Sequence, residues 1–113
     1  MTTKERYAVA VLAFAFIDSS TQEGQNVFYD ILDSLSITFY EFKDYLSQMR
    51  KNGKTRFEAY NEIRGLSSDE KGTVRNIIFK AYSQGGKQGT DHAVYYFKEM
   101  IDECDLANAR IQL

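Results

Sequence analysis

The stretch Tyr7 to Ile17, YAVAVLAFAFI, is apolar on every side of any helix it forms. A helix without a polar face has to be surrounded by other parts of the chain. A bilayer span needs about 20 residues, so the run reads as a buried core helix and not as a membrane segment. Its setting, MTTKERYAVAVLAFAFIDSS with an Ala13-Phe14-Ala15 triplet, has the general form of a secretory leader. Glu5 argues against that, because it stands where a leader is purely basic. Cleavage after Ala15 would also leave a very short hydrophobic region. The expectation is a folded helix in a cytoplasmic protein without a membrane span or an export address.

The rest of the chain can supply the surroundings. Its 113 residues are 43% hydrophobic and 14% aromatic, enough for one core, so a single domain over residues 1–113 is expected. Sixteen acids against 14 bases give a formal net charge of -2. That balance leaves no global positive field to draw the protein onto nucleic acid or anionic lipid. The single cysteine, Cys104, excludes an internal disulfide and suits a reducing compartment. With only one histidine, His92, a Cys/His zinc cage is excluded as well.

Proline is absent, and the apolar spacing is helical throughout. A first helix starts after Thr2 or Thr3 and runs to about Asp18. A second carries Val27, Phe28, Ile31, Leu32 and Leu35 on one stripe. Thr38 with Glu41 forms a capping box for a third helix, which turns Phe39, Phe42, Leu46 and Met49 inward and ends at Gly53. Thr55 with Glu58 repeats the box for a short fourth helix bearing Phe57, Tyr60 and Ile63. Ser67 to Glu70 starts a fifth, with Val74, Ile77, Ile78, Ala81 and Tyr82 on its apolar side. After the loop Ser83 to Gly89, Thr90 caps a sixth, which buries some of Val94, Tyr95, Phe97, Met100, Ile101 and Cys104. The fold class expected is all-α: a compact bundle of about six helices.

Within the sequence, Phe28 to Ile37 aligns with Phe97 to Leu106, apolar against apolar, with an acid kept at Asp30/Glu99 and at Asp33/Asp102. Each segment follows a loop, and each loop follows an apolar helix. This pattern suits two pseudo-symmetric helical pairs sharing one core around the buried N-terminal helix. Coincidence between two amphipathic helices is the alternative.

With this layout the chain resembles the TerB-like family, small all-helical proteins named for tellurite resistance. The resemblance runs through AVLAFAFIDSSTQEGQNVFYDILDSLSITFYEF and LSSDEKGTVRNIIFKAYSQGGKQGTDHAVYYFKEMIDECDL. In that family each half reads as an apolar helix, a short acidic turn and an acid-started helix. Here the first turn keeps Asp18 and Glu23 without the glycine, and the second keeps glycines without the acid. The resemblance implies a weak divalent-cation site, for calcium or a similar hard ion, at Asp18 and Glu23. The same two residues also suit plain structural duties: Asp18 ends one helix, and Glu23 favours the positive end of the next.

Other chemistry is sparse. Cys104 lies twelve positions beyond His92, about 18 Å along a continuous helix, so the two cannot act together and no catalytic residues are expected. The glycine-rich loop lacks the Lys-Ser/Thr of a phosphate-binding loop and opens onto Asp91. Arg50, Lys51, Lys54 and Arg56, with the amide of Thr55, form the densest basic turn and suit an anion, a phosphate backbone or a partner surface. Cations at a helix end also simply favour its dipole. Tyr95, Tyr96 and Phe97 span too wide an arc for one core face, which makes Tyr95 and Tyr96 candidates for a homodimer or docking interface. The sequence thus points to a non-catalytic cytosolic binding or scaffolding module, TerB-like and acting in a bacterial stress-response or membrane-associated assembly, with a protein partner or a second copy. The alternative is a small regulatory protein that binds nucleic acid through the Arg50 to Arg56 turn.

Overall fold

A computed structural model describes residues 1, 3–16, 22–84 and 91–108 of the chain. Six helices follow in order: α1 (Thr3–Phe16), α2 (Gln22–Ser34), α3 (Phe39–Lys51), α4 (Arg56–Arg64), α5 (Ser68–Gln84) and α6 (Asp91–Glu103). A 3-10 turn, Leu106–Asn108, closes the described chain. No strand occurs among the described residues, so the fold is all-α as expected. No helix among them is long and apolar enough to cross a membrane.

The starts of α3, α4 and α5 are set locally. Thr38 N–H donates to Glu41 Oε1 at 2.9 Å, and Glu41 N–H donates back to Thr38 Oγ1 at 3.1 Å. Thr55 N–H donates to Glu58 Oε2 at 2.6 Å. Glu70 N–H donates to Ser67 Oγ at 3.1 Å, with the Ser67 hydroxyl on Glu70 Oε1. These reciprocal bonds satisfy amides that a helix start leaves open. They also hold the carboxyls of Glu41 and Glu58 below the ordinary range, mainly through the bonds from Thr38 and Thr55. After α3, Gly53 takes φ +68, the left-handed residue foreseen for that end.

α1 is the hub. Ala8 to Phe14 are each 6% exposed or less, and α1 packs most extensively on α4, then on α2, α5 and α6. The short α4 is therefore the principal neighbour of the buried helix and not a mere connector. Its inward residues are Ala59, Tyr60 and Ile63. Phe57 is 42% exposed instead of inward and meets Tyr60 edge-on at the start of α4, 5.4 Å between ring centres. Phe39, also expected inward, is likewise exposed and meets Phe28 edge-on. In α3 Phe42 and Met49 are buried, and Leu46 packs half-buried against the core. Leu35 is buried as expected but lies in the turn after α2.

Lys4 to Ala15 hold φ between 39° and 55° and ψ between 42° and 60°, the left-handed helical region. Each L-residue there costs roughly 1–2 kcal/mol, so twelve together cost roughly 12–24 kcal/mol, comparable to or above the roughly 5–15 kcal/mol that stabilises a whole domain. An L-chain favours the right-handed helix over such a run, and that is the form expected in solution. Backbone scalar couplings and Cα chemical shifts of Ala8 to Phe14 report the sign of φ. We expect right-handed values, and positive φ throughout would overturn that expectation.

The aligned halves share a structural detail. After α2, Ser36 takes φ 56, and after α6, Asp105 takes φ 57. These two residues stand at the same place in the alignment of Phe28–Ile37 with Phe97–Leu106. Each is flanked by buried residues, Leu35 and Ile37 in one half, Cys104 and Leu106 in the other. Both helices thus end in the same left-handed turn, which throws the next apolar residue back into the core. Ser36→Gly should raise stability by roughly 0.5–1 kcal/mol in urea unfolding, because glycine adopts this φ without a Cβ clash. Asp105→Gly should gain less, since the Asp105 carboxylate holds Lys71 Nζ at 3.1 Å.

Candidate functional site

Arg56, at the first position of α4, points toward α6. Its Nε donates to Glu99 Oε2 at 2.7 Å and its Nη2 to Glu99 Oε1 at 3.1 Å. The Tyr60 hydroxyl, one turn along α4, donates to Glu99 Oε2 at 2.7 Å, and the Tyr95 hydroxyl to Oε1 at 3.2 Å. Each carboxylate oxygen therefore accepts two bonds. One turn further, Arg64 Nε donates to the Glu103 carbonyl at 3.0 Å. Arg56, Tyr60 and Arg64 are spaced by four on α4, and Tyr95, Glu99 and Glu103 by four on α6, so the two helices join along one polar seam.

The environment accounts for the electrostatics. The Glu99 side chain is 12% exposed and that of Arg56 33%. The Arg56 guanidinium holds the Glu99 carboxyl well below the ordinary range, assisted by the bonds from Tyr60 and Tyr95. Burial and the carboxylate push the Tyr60 phenol up, and the bond to Glu99 raises Arg56. The guanidinium also lies over two rings, 4.6 Å from the centre of Phe57 and 5.3 Å from that of Tyr96, a favourable arrangement for a cation partly withdrawn from water.

Beside this seam lies a cavity of about 240 Å³. Val11, Leu12 and Ala15 of α1 with Leu46 and Met49 of α3 line its apolar part, and Arg50, Lys54, Thr55, Arg56, Tyr60 and Tyr96 give it a nearly equal polar share. Three of the four basic residues singled out in the sequence thus meet at one opening. Lys51 is exposed and lies outside it. Arg56 is not a free surface cation, because its charge is committed to Glu99. The Thr55 amide is not an open anion donor either, because Glu58 takes it.

The remaining candidates lie elsewhere. Asp18 falls outside the described residues, and Glu23 is exposed in the first turn of α2. Among the described residues, no group of three or more His, Cys, Asp or Glu side chains is placed to hold a metal ion. Cys104 is fully buried, and burial pushes its thiol up to about 12, the opposite of an activated nucleophile. Tyr95 is 57% exposed while Tyr96 is half-buried against the seam. Burial, followed by Glu62 and Glu5, likewise pushes the Tyr45 phenol up to about 12.

Glu99 is the residue that the sequence pattern concealed. Paired with Asp102 three positions on, it reads as an ordinary solvated acid, and its partners stand 39 and 43 residues away. One signal did exist: Glu99 is one of the acids kept between the aligned halves. Its counterpart Asp30 is exposed and lines a separate groove of about 200 Å³ between α2 and α5.

No family model matches the chain, and neither a curated protein nor a solved structure matches it.

Glu99→Gln leaves Arg56 without its counter-charge and should cost about 1–3 kcal/mol in urea unfolding at neutral pH. The folded-state pKa of Glu99 lies below its ordinary value of 4.5. The stability it contributes is therefore complete above that value and is lost as pH falls through the folded pKa. The gap between wild type and Glu99→Gln should accordingly narrow below about pH 4.5. A gap that stays constant with pH would argue against an ionised Glu99 as the anchor.

Proposed function

We propose that the protein is a non-catalytic binding module whose ligand face is the cavity between α1, α3, α4 and α6. One observation carries this reading: Arg56 and Tyr60 of the wall are satisfied by Glu99, while apolar side chains and the exposed Arg50 and Lys54 line the same opening. Glu99, Arg56 and Tyr60 hold the wall rigid. A carboxylate saturated with four hydrogen bonds and kept ionised is poorly suited to proton transfer. The arrangement favours recognition over reaction.

The TerB-like role implied by the sequence, in a bacterial stress-response assembly in the cytoplasm, rests on the two-half layout. The matching left-handed turns at Ser36 and Asp105 support that layout. Homodimer formation through Tyr95 is a narrower version of the same reading. The exposed Arg50, Lys51 and Lys54 favour the nucleic-acid alternative, although the loss of Arg56 to Glu99 leaves that surface with fewer cations for phosphate.

Affinity capture from native lysate, with wild type beside an Arg50→Glu/Lys54→Glu variant of equal thermal stability, tests the proposal. The expected outcome is a protein or small molecule retained by wild type and lost from the variant. Identical retention by both would overturn the cavity as the binding face. Retention of nucleic acid alone, released as salt rises, would favour the alternative.

A further inference from the structure

We propose that the groove between α2 and α5 docks an amphipathic helix of a protein partner, lying on α2 as α4 lies on α6 and setting an arginine or lysine on Asp30. The proposal is independent of the cavity beside the seam of α4 and α6.

The aligned halves supply the first argument. In the register that matches Phe28 with Phe97, the groove residues Val27, Asp30 and Ser34 correspond to Tyr96, Glu99 and Glu103. Each of those three α6 residues is met by α4. The Arg56 guanidinium lies over Tyr96, Arg56 and Tyr60 bind Glu99, and Arg64 donates to the Glu103 carbonyl. One helix of the aligned pair therefore carries a further helix on this face, and the other presents the same positions at a groove. The left-handed turns at Ser36 and Asp105 fall in the same register.

The second argument is the surface of the groove. Val27 and Ile31 of α2 with Ile77 and Ala81 of α5 form its floor, which is predominantly apolar. Asp30 stands exposed on the α2 side and Lys80 on the α5 side. A helix lies in such a groove by an apolar stripe at spacings of three and four. The two rims ask in addition for a cation toward α2 and an acid toward α5, and complementary charge of this kind fixes partner and orientation. α4 shows how the α2 side is met: Ala59, Tyr60 and Ile63 turn inward while Arg56 reaches an acid. Asp30 is one methylene shorter than Glu99 and Val27 is smaller than Tyr96, so a docked helix can approach α2 more closely than α4 approaches α6. In a second copy α4 is engaged on its own α6, so the occupant is a helix of another protein.

A peptide of residues 55–65 with blocked ends, bridged between the side chains of positions 58 and 62, is the probe. Both positions are exposed on α4, and the bridge is needed because so short a helix is marginal in water. Titrated into the full chain, the peptide should shift the Val27, Ile31 and Ile77 methyls saturably in NMR spectra. Asp30→Asn should weaken binding about fivefold, the upper range for an exposed ion pair. Asp33→Asn, exposed on the same helix but outside the groove, should leave it intact. Arg56→Glu in the peptide should weaken binding to wild type and restore it to Asp30→Lys. No saturable shift at the groove methyls, or equal effects of Asp30→Asn and Asp33→Asn, would overturn the proposal. Shifts confined to the Met100 methyl on α6 would mean that the peptide replaces α4, and would overturn it too. Shifts of the groove methyls on concentrating the protein alone would make a second copy the occupant and overturn the assignment to another protein.

Discussion

A helix without a polar face dictates how the rest of this protein is arranged. The apolar run in α1 cannot meet water on any side, so the remaining helices form a shell that turns apolar stripes toward it. Five amphipathic helices suffice because each needs only one buried face. This constraint also explains why α4, the shortest helix, matters so much: Ala59, Tyr60 and Ile63 close the flank of α1 that the paired helices leave open.

Closing that flank brings α4 against α6, and there the polar chemistry is concentrated. Glu99 works as a clamp because it sits at the margin of the core, where a carboxylate is largely withdrawn from water yet still reaches Arg56, Tyr60 and Tyr95. A charge in that position is tolerable only with its hydrogen bonds complete, and all four are made. The same completeness gives the neighbouring cavity its character. Because the seam consumes its donors internally, Arg56 and Tyr60 offer the cavity no open charge, and Arg50 and Lys54 stand exposed at its opening.

The two ends of the aligned halves show how one local pattern can take two uses. Ser36 and Asp105 both turn the chain through a left-handed residue and return an apolar side chain to the core. Asp30 and Glu99 likewise share an alignment position. One lies exposed beside a groove and the other anchors a seam, because only Glu99 faces an arginine supplied by α4.

The elements written within a few residues of one another were determined by the sequence itself: the apolar run of α1, the capping boxes at Thr38, Thr55 and Ser67, and the left-handed Gly53. Each depends on contacts no more than a turn or two away, so residue order is enough to specify it. The inward stripes were legible except where a helix start splays outward, as at Phe39 and Phe57. Tertiary structure alone decided that Glu99 meets Arg56 across 43 positions, that three of four clustered cations share one cavity, and that α4 becomes the main neighbour of α1. Those outcomes depend on how helices are set against each other in space. That placement follows from the joint burial of all six, which no local spacing records.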